Sequence, residues 1–129
     1  MRIGQVAAAS GATTKTLRFY EEAGLLPPPR RTAAGYRDYA PDVLNRLDFI
    51  RRGRAAGLTL AQIRDVLGVR DAGNAPCRHV HHLLEGRRDE LDRQIADLQA
   101  LRDTVSELLA RAGDADPADC DAAAVCRFV

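Results

Sequence analysis

The chain has 129 residues, of which 46% are apolar and 29% charged, with a formal net charge of +1. This balance is too apolar for a disordered chain and too charged for a membrane-embedded one. No apolar run approaches the roughly 18 residues that a membrane span requires. The small net charge hides an asymmetry: residues 1–70 hold 12 Lys and Arg against 6 Asp and Glu, and residues 71–129 hold 7 against 12. A basic first half points to a polyanion partner, because neutralising phosphates releases their condensed counterions. The stretch Val6-Ala7-Ala8-Ala9 is too short for a secretory leader, so a cytoplasmic protein is expected. A chain this small buries little over half of its unfolded surface, which makes a second copy attractive as added core.

Residues 3–9 predict a short helix ended by Gly11, where a positive φ costs little. Thr13 or Thr14 caps a second helix, in which Leu17, Phe19 and Tyr20 supply apolar bulk and which Gly24 ends. Two short helices joined by a glycine-containing turn match a helix-turn-helix. Pro27-Pro28-Pro29 excludes helix, and residues 32–37 predict a tight turn between two short strands, a small wing. Pro41 suits the first position of a third helix, with Val43, Leu44, Leu47 and Ile50 at helical spacing and Gly57 at its end. Phe19, Val43 and Leu47 are assigned to the core. Thr59 caps a fourth helix, Gln62 completes a capping box, and Leu58 and Ile63 form a hydrophobic staple.

Residues 72–76, Ala-Gly-Asn-Ala-Pro, read as a linker where the charge changes sign. Residues 77–112 contain no proline. Leu84, Leu91, Leu98 and Val105 recur there every seven residues, beside Ile95, Leu101, Leu108 and Leu109. Nothing in so small a chain covers such a stripe, so a coiled coil with a second copy is expected; the pattern does not set its polarity. The predicted architecture is mainly α: a winged helix-turn-helix DNA-binding domain (1–71), a linker (72–76), a dimerisation helix (77–112) and an effector or metal-binding loop (113–129).

Leu17-Arg18-Phe19-Tyr20-Glu21-Glu22-Ala23-Gly24-Leu25-Leu26, followed by Gly35-Tyr36-Arg37-Asp38-Tyr39, resembles the MerR (mercury-resistance regulator) family of transcription factors, and the resemblance covers nearly the whole chain. It implies a homodimer joined through an antiparallel coiled coil and seated on a palindrome within an over-long promoter spacer. Effector binding would then bend and untwist the DNA so that RNA polymerase engages both promoter elements.

Lys15 and Arg18 lie one turn apart on the second helix, with Thr13 and Thr14 at its N-terminus. Helix N-termini and cations suit phosphates, and long donors reach guanine edges in the major groove. The resemblance assigns Arg18, Tyr20, Tyr36 and Arg37 to the DNA backbone; Arg31 extends this set, with Arg30 and Arg54 as further additions. Most such contacts carry affinity rather than sequence choice.

Three cysteines are too few for a disulfide framework. Cys77 opens the long helix, where the macrodipole favours negative charge and hence a ligating sulfur. Cys120 and Cys126 flank a short spacer able to loop round one ion. In an antiparallel coiled coil, Cys77 of one chain would meet the terminal loop of the other. The resemblance implies that a cysteine at Cys77 marks sensors of a divalent soft or borderline metal: Zn, Cd, Pb or Hg. The family's first loop cysteine is absent near Ala112, and Cys126 is expected to replace it. His81 is i+4 from Cys77 and is the favoured added ligand, ahead of His79 and His82, with Asp119 or Asp121 as carboxylate alternatives.

The expected protein is a cytoplasmic, homodimeric, metal-responsive transcriptional activator. Two other readings stay open: a regulator of the same fold that senses an oxidant or organic ligand, and a non-sensing architectural repressor. No paired carboxylates, nucleophile motif or phosphate loop supports an enzyme.

Overall fold

In a computed structural model, which describes residues 1–114 together with 118, 122, 125 and 126, the chain is mainly helical. The described elements run α1 (Ile3–Ser10), α2 (Thr14–Glu22), β1 (Arg30–Arg31), β2 (Arg37–Asp38), α3 (Val43–Ala55), α4 (Leu60–Asp71) and α5 (Cys77–Asp114). They belong to two compact units, Met1–Arg87 and Arg88–Val129.

The first unit starts with the helix-turn-helix. Gly11, at φ 74°, closes α1, and the Thr13 side chain accepts from the Thr16 amide at 3.1 Å to open α2. The wing follows as an antiparallel pair in which Arg30 opposes Asp38 and Arg31 opposes Arg37. The Met1 carbonyl accepts from the Tyr39 amide at 2.7 Å, which anchors the wing to the start of the chain. Thr59 caps α4 through a complete capping box with Gln62, as the Thr-x-x-Gln spacing predicts.

The core of this unit gathers Val6, Leu17, Leu25, Leu26, Tyr39, Val43, Leu47, Ile50, Leu58, Ile63 and Leu67, one apolar face from each of the first four helices plus the chain between α2 and the wing. Gly53 lets α3 and α4 approach: a Cβ there would lie 3.0 Å from Ile63 Cδ1. Leu83 of α5 packs against the same core.

Three expectations are corrected. Phe19 is not core but 49% exposed, because it lies two residues from the fully buried Leu17, about 200° round the helix. Pro41 is not the first helical residue; it sits in the preceding turn, and Asp42 takes the N-cap position before Val43. The long helix does not stop at Ala112 but continues to Asp114, and Gly113 is within it.

No residue of α5 is fully buried. In the second unit Leu91, Ile95, Leu98, Leu101, Val105 and Leu109 are exposed along its length. No described helix is long and apolar enough to cross a membrane.

Candidate nucleic-acid interface and metal-ligand positions

The buried face of α2 is fixed by Leu17, with Tyr20 and Glu21 partly covered beside it. The rest of the helix surface presents Lys15, Arg18 and Phe19 to solvent, with Thr14 exposed at its first turn, a cationic surface with one aromatic ring in it. Thr13 is also exposed, but its hydroxyl is engaged in the cap and donates to Thr16 Oγ1 at 2.9 Å. The Phe19 ring is tilted against Tyr20, with centroids 6.0 Å apart. Tyr20 also lines a concavity of about 310 Å³ together with Thr16, Arg51 and Arg54. Asp48 binds both Arg51 (2.7 Å) and Arg52 (3.0 Å), and the Arg51 hydrogen bond holds its carboxyl below the usual range.

On the wing, Arg31 Nη1 donates to the Gly35 carbonyl at 3.1 Å, bracing the turn. Tyr36 is exposed, and the Arg2 guanidinium stacks over its ring at 4.4 Å, a cation–π contact from the start of α1 to the wing tip. Arg30 is exposed on β1. Arg37 is only partly exposed, and its Nε pairs with Glu21 Oε2 at 3.3 Å. The other oxygen of Glu21 accepts from Tyr39 Oη at 2.6 Å. One carboxylate thus ties α2 to β2 and the residue after it, and Arg37 carries a structural duty.

Burial, then the hydrogen bond to Glu21, pushes the Tyr39 hydroxyl up from 10.0 to about 12. The folded state keeps a proton that the unfolded state releases first. This contribution to stability is therefore complete below pH 10 and lost as pH rises towards about 12. We expect the Tyr39 contribution to tyrosinate absorbance to appear only as pH approaches about 12, and Tyr39→Phe to remove the alkaline loss of stability between those limits.

Sequence reasoning missed Arg46, which is 5% exposed. Its Nε and Nη2 donate to the Leu25 carbonyl at 3.3 and 2.8 Å, and Nη1 to Asp71 Oδ1 at 2.6 Å. The signal was present: position 46 falls at i+3 from Val43 and i−4 from Ile50, on the buried stripe. Glu21 and Arg2 were missed because their partners are distant in sequence.

Cys77 is the first residue of α5, exposed and not in a disulfide; Cys126 is likewise a free, exposed thiol. Cys120, Asp119 and Asp121 lie outside the described residues. His81 is exposed, and its Nδ1 is 2.9 Å from Glu85 Oε1, so Glu85 orients the ring from the next turn. His79 is half-buried, its Nε2 enclosed without a described partner, and does not share the exposed setting of Cys77. Among the described residues no three His, Cys, Asp or Glu side chains converge as a metal site. What one chain displays is a set of separate soft and borderline donors, whose chemistry suits a thiophilic ion.

A family model described as MerR HTH family regulatory protein matches residues 1–68, and one described as MerR, DNA binding matches residues 44–108. The mercuric resistance operon regulatory protein of Bacillus cereus is 37% identical over 110 residues, which cover 85% of this chain and 83% of that protein. The crystal structure of the transcription regulator PbrR691 from Ralstonia metallidurans CH34 in complex with lead(II) matches with a TM-score of 0.76 and 34% identity, over 93% of this chain and 94% of the other. HiNmlR, a MerR family regulator bound to promoter DNA, matches with a TM-score of 0.59 and 26% identity, over 85% and 83% of the two chains.

Proposed function

The chain belongs to the MerR family of helix-turn-helix regulators, which are DNA-binding transcription regulators and not enzymes, and from that premise we propose that it is a cytoplasmic homodimer activating transcription in response to a divalent thiophilic metal. The observation that carries this reading is the position of Cys77. It opens α5, and the first three turns of that helix belong to the same compact unit as the cationic face of α2. A change at that sulfur therefore acts on a helix already packed against the DNA-reading head.

Residues 1–71 are the reader, 72–76 the linker, 77–114 the dimerisation segment and the residues after Asp114 the effector loop. Lys15 and Arg18 take phosphates and base edges of the major groove, with Thr13 and Thr14 at the helix N-terminus. Phe19, exposed beside Lys15, suits a thymine methyl group. Tyr20, Arg31, Tyr36 and Arg37 take the backbone, and the exposed leucine stripe of α5 pairs with a second copy.

Cys77, Cys120 and Cys126 would hold the metal, with Nε2 of His81 free to serve as a further ligand because Glu85 already engages Nδ1. A bound soft dication supplies the attraction that draws these sulfurs together across the two copies. Drawing Cys77 of one copy towards the terminal loop of the other would then bias the relative setting of the two heads and so the twist of the promoter presented to RNA polymerase. Relatives whose names record mercuric resistance and a lead(II) complex support a divalent ion over other effectors.

The test is transcription from the operator-bound protein with zinc, cadmium, lead and mercury supplied singly. At least one ion should raise transcript without changing operator occupancy. Induction by a thiol oxidant such as diamide, with no response to any metal, would favour the oxidant-sensing reading instead.

A further inference from the structure

The last turn of an α-helix leaves carbonyls without intrahelical partners, and a cation nearby satisfies both the hydrogen bond and the dipole. At the end of α3 this role falls to a residue far along the chain: Arg87 Nε donates to the Ala56 carbonyl at 3.1 Å, from three turns into α5. The next residue, Gly57, has φ +83°. A Cβ there would lie 2.6 Å from Nε and Nη2 of Arg87 and 2.8 Å from its Cζ. The guanidinium thus rests directly on the glycine α-carbon, so position 57 needs glycine both for its backbone conformation and for the room it leaves. Leu83, one turn before Arg87 on the same helical face, packs against the core of the head. At the other side of the linker, Asp71, the last residue of α4, is held by the buried Arg46.

We infer that Arg87 is a positioning residue. It latches the first three turns of α5 to the C-terminal end of α3, so that the start of the regulatory helix and the DNA-reading head move as one body across the 72–76 linker. The linker contains Gly73 at φ +87°, and the backbone hydrogen bonds at its ends run only to the helix on the same side: Gly73 N to Arg70 O at 2.9 Å, Asn74 N to Val69 O at 3.1 Å and Val80 N to Pro76 O at 2.9 Å. Two arginine fastenings bracket it, Arg46 on Asp71 before and Arg87 on Ala56 after. Of these, only Arg87 joins α5 to α3, the helix that packs on both α1 and α4. This inference rests on the reading that a dimer presents two heads to two half-sites, because a loose latch then becomes a loose half-site spacing.

The test uses the full chain and a palindromic operator whose half-site separation is changed by one base pair in either direction. Wild type should prefer the native separation by about tenfold, since the spacing of rigid dimeric readers is a geometric constant. Arg87→Ala should shrink that preference to about twofold, while affinity for a single half-site stays within about twofold. Arg87→Lys, which can still donate to the Ala56 carbonyl, should recover part of it. Gly57→Ala should lose the spacing preference as Arg87→Ala does, but with an added loss of thermal stability, because its Cβ both displaces the guanidinium and strains a backbone at φ +83°. A head that was merely destabilised would lose half-site affinity as well, which separates positioning from folding.

Amide exchange gives an arm that needs no DNA: around residues 54–58 and 77–83 it should rise about tenfold in Arg87→Ala. Arg87→Ala with wild-type spacing preference or wild-type exchange overturns the latch. If wild type itself ignores spacing, the two-headed reading is what fails, and exchange alone decides the latch.

Discussion

Replacing Cys77 with serine is expected to abolish the transcriptional response to metal while leaving operator affinity within about twofold of wild type, because on the proposed reading the change removes a metal ligand and not a DNA contact. The sulfur stands at the first position of α5, exposed and unpaired, and nothing of the core depends on it. Serine preserves the size and the helix start but replaces a soft donor with a hard, protonated one that a thiophilic dication binds poorly. On that reading the loss should be complete for mercury and lead, which rely on sulfur, and nearly so for zinc, for which His81 would remain as a nitrogen ligand. Transcription assayed alongside operator footprinting checks it. A Cys77→Ser protein that responds fully to every metal removes the sulfur from the account.

The second large effect is on DNA. Arg18→Ala should weaken operator binding by about tenfold to a hundredfold, the range for losing one charged hydrogen bond, and should reduce the slope of log affinity against log salt by about one. Arg18 shares the exposed face of α2 with Lys15, and no described carboxylate is paired with it. The loss should be similar on unrelated DNA if the contact is to phosphate, and confined to the operator if it is to a base. Binding titrations at several salt concentrations decide between them. The contrast with Arg37 is informative: Arg37→Ala also breaks the pair with Glu21, so its effect on DNA should be accompanied by a loosened wing.

Much of the fold was legible because local chemistry set it. The Thr59–Gln62 capping box, the positive-φ glycines at 11, 24 and 57, and the triple proline before the wing each act within a few residues, and each element falls where those signals put it. Phe19 departs from the core because helical phase, not apolar bulk, decides burial: Leu17 takes the inward position and Phe19 falls about 200° away. What the sequence could not display were contacts closed by the fold over long separations, among them Glu21 with Arg37 and Tyr39, Arg46 with Leu25, and Arg87 with Ala56. The candidate site was legible as residue types, three thiols and a histidine cluster. Their convergence was not, since one chain brings no three described donors together.

That last point defines the most direct measurement. Mixed dimers are prepared in which one chain carries Cys77→Ser and the other Cys120→Ser, and sulfur-to-metal charge-transfer absorbance is titrated with mercury(II). If the ligands come from both copies, the mixed dimer keeps one whole site, with Cys77 from one chain and Cys120 from the other, and takes up one ion where wild type takes two. Each pure variant then takes none. A mixed dimer that binds nothing while wild type binds fully would place every sulfur of a site within a single chain and contradict the account.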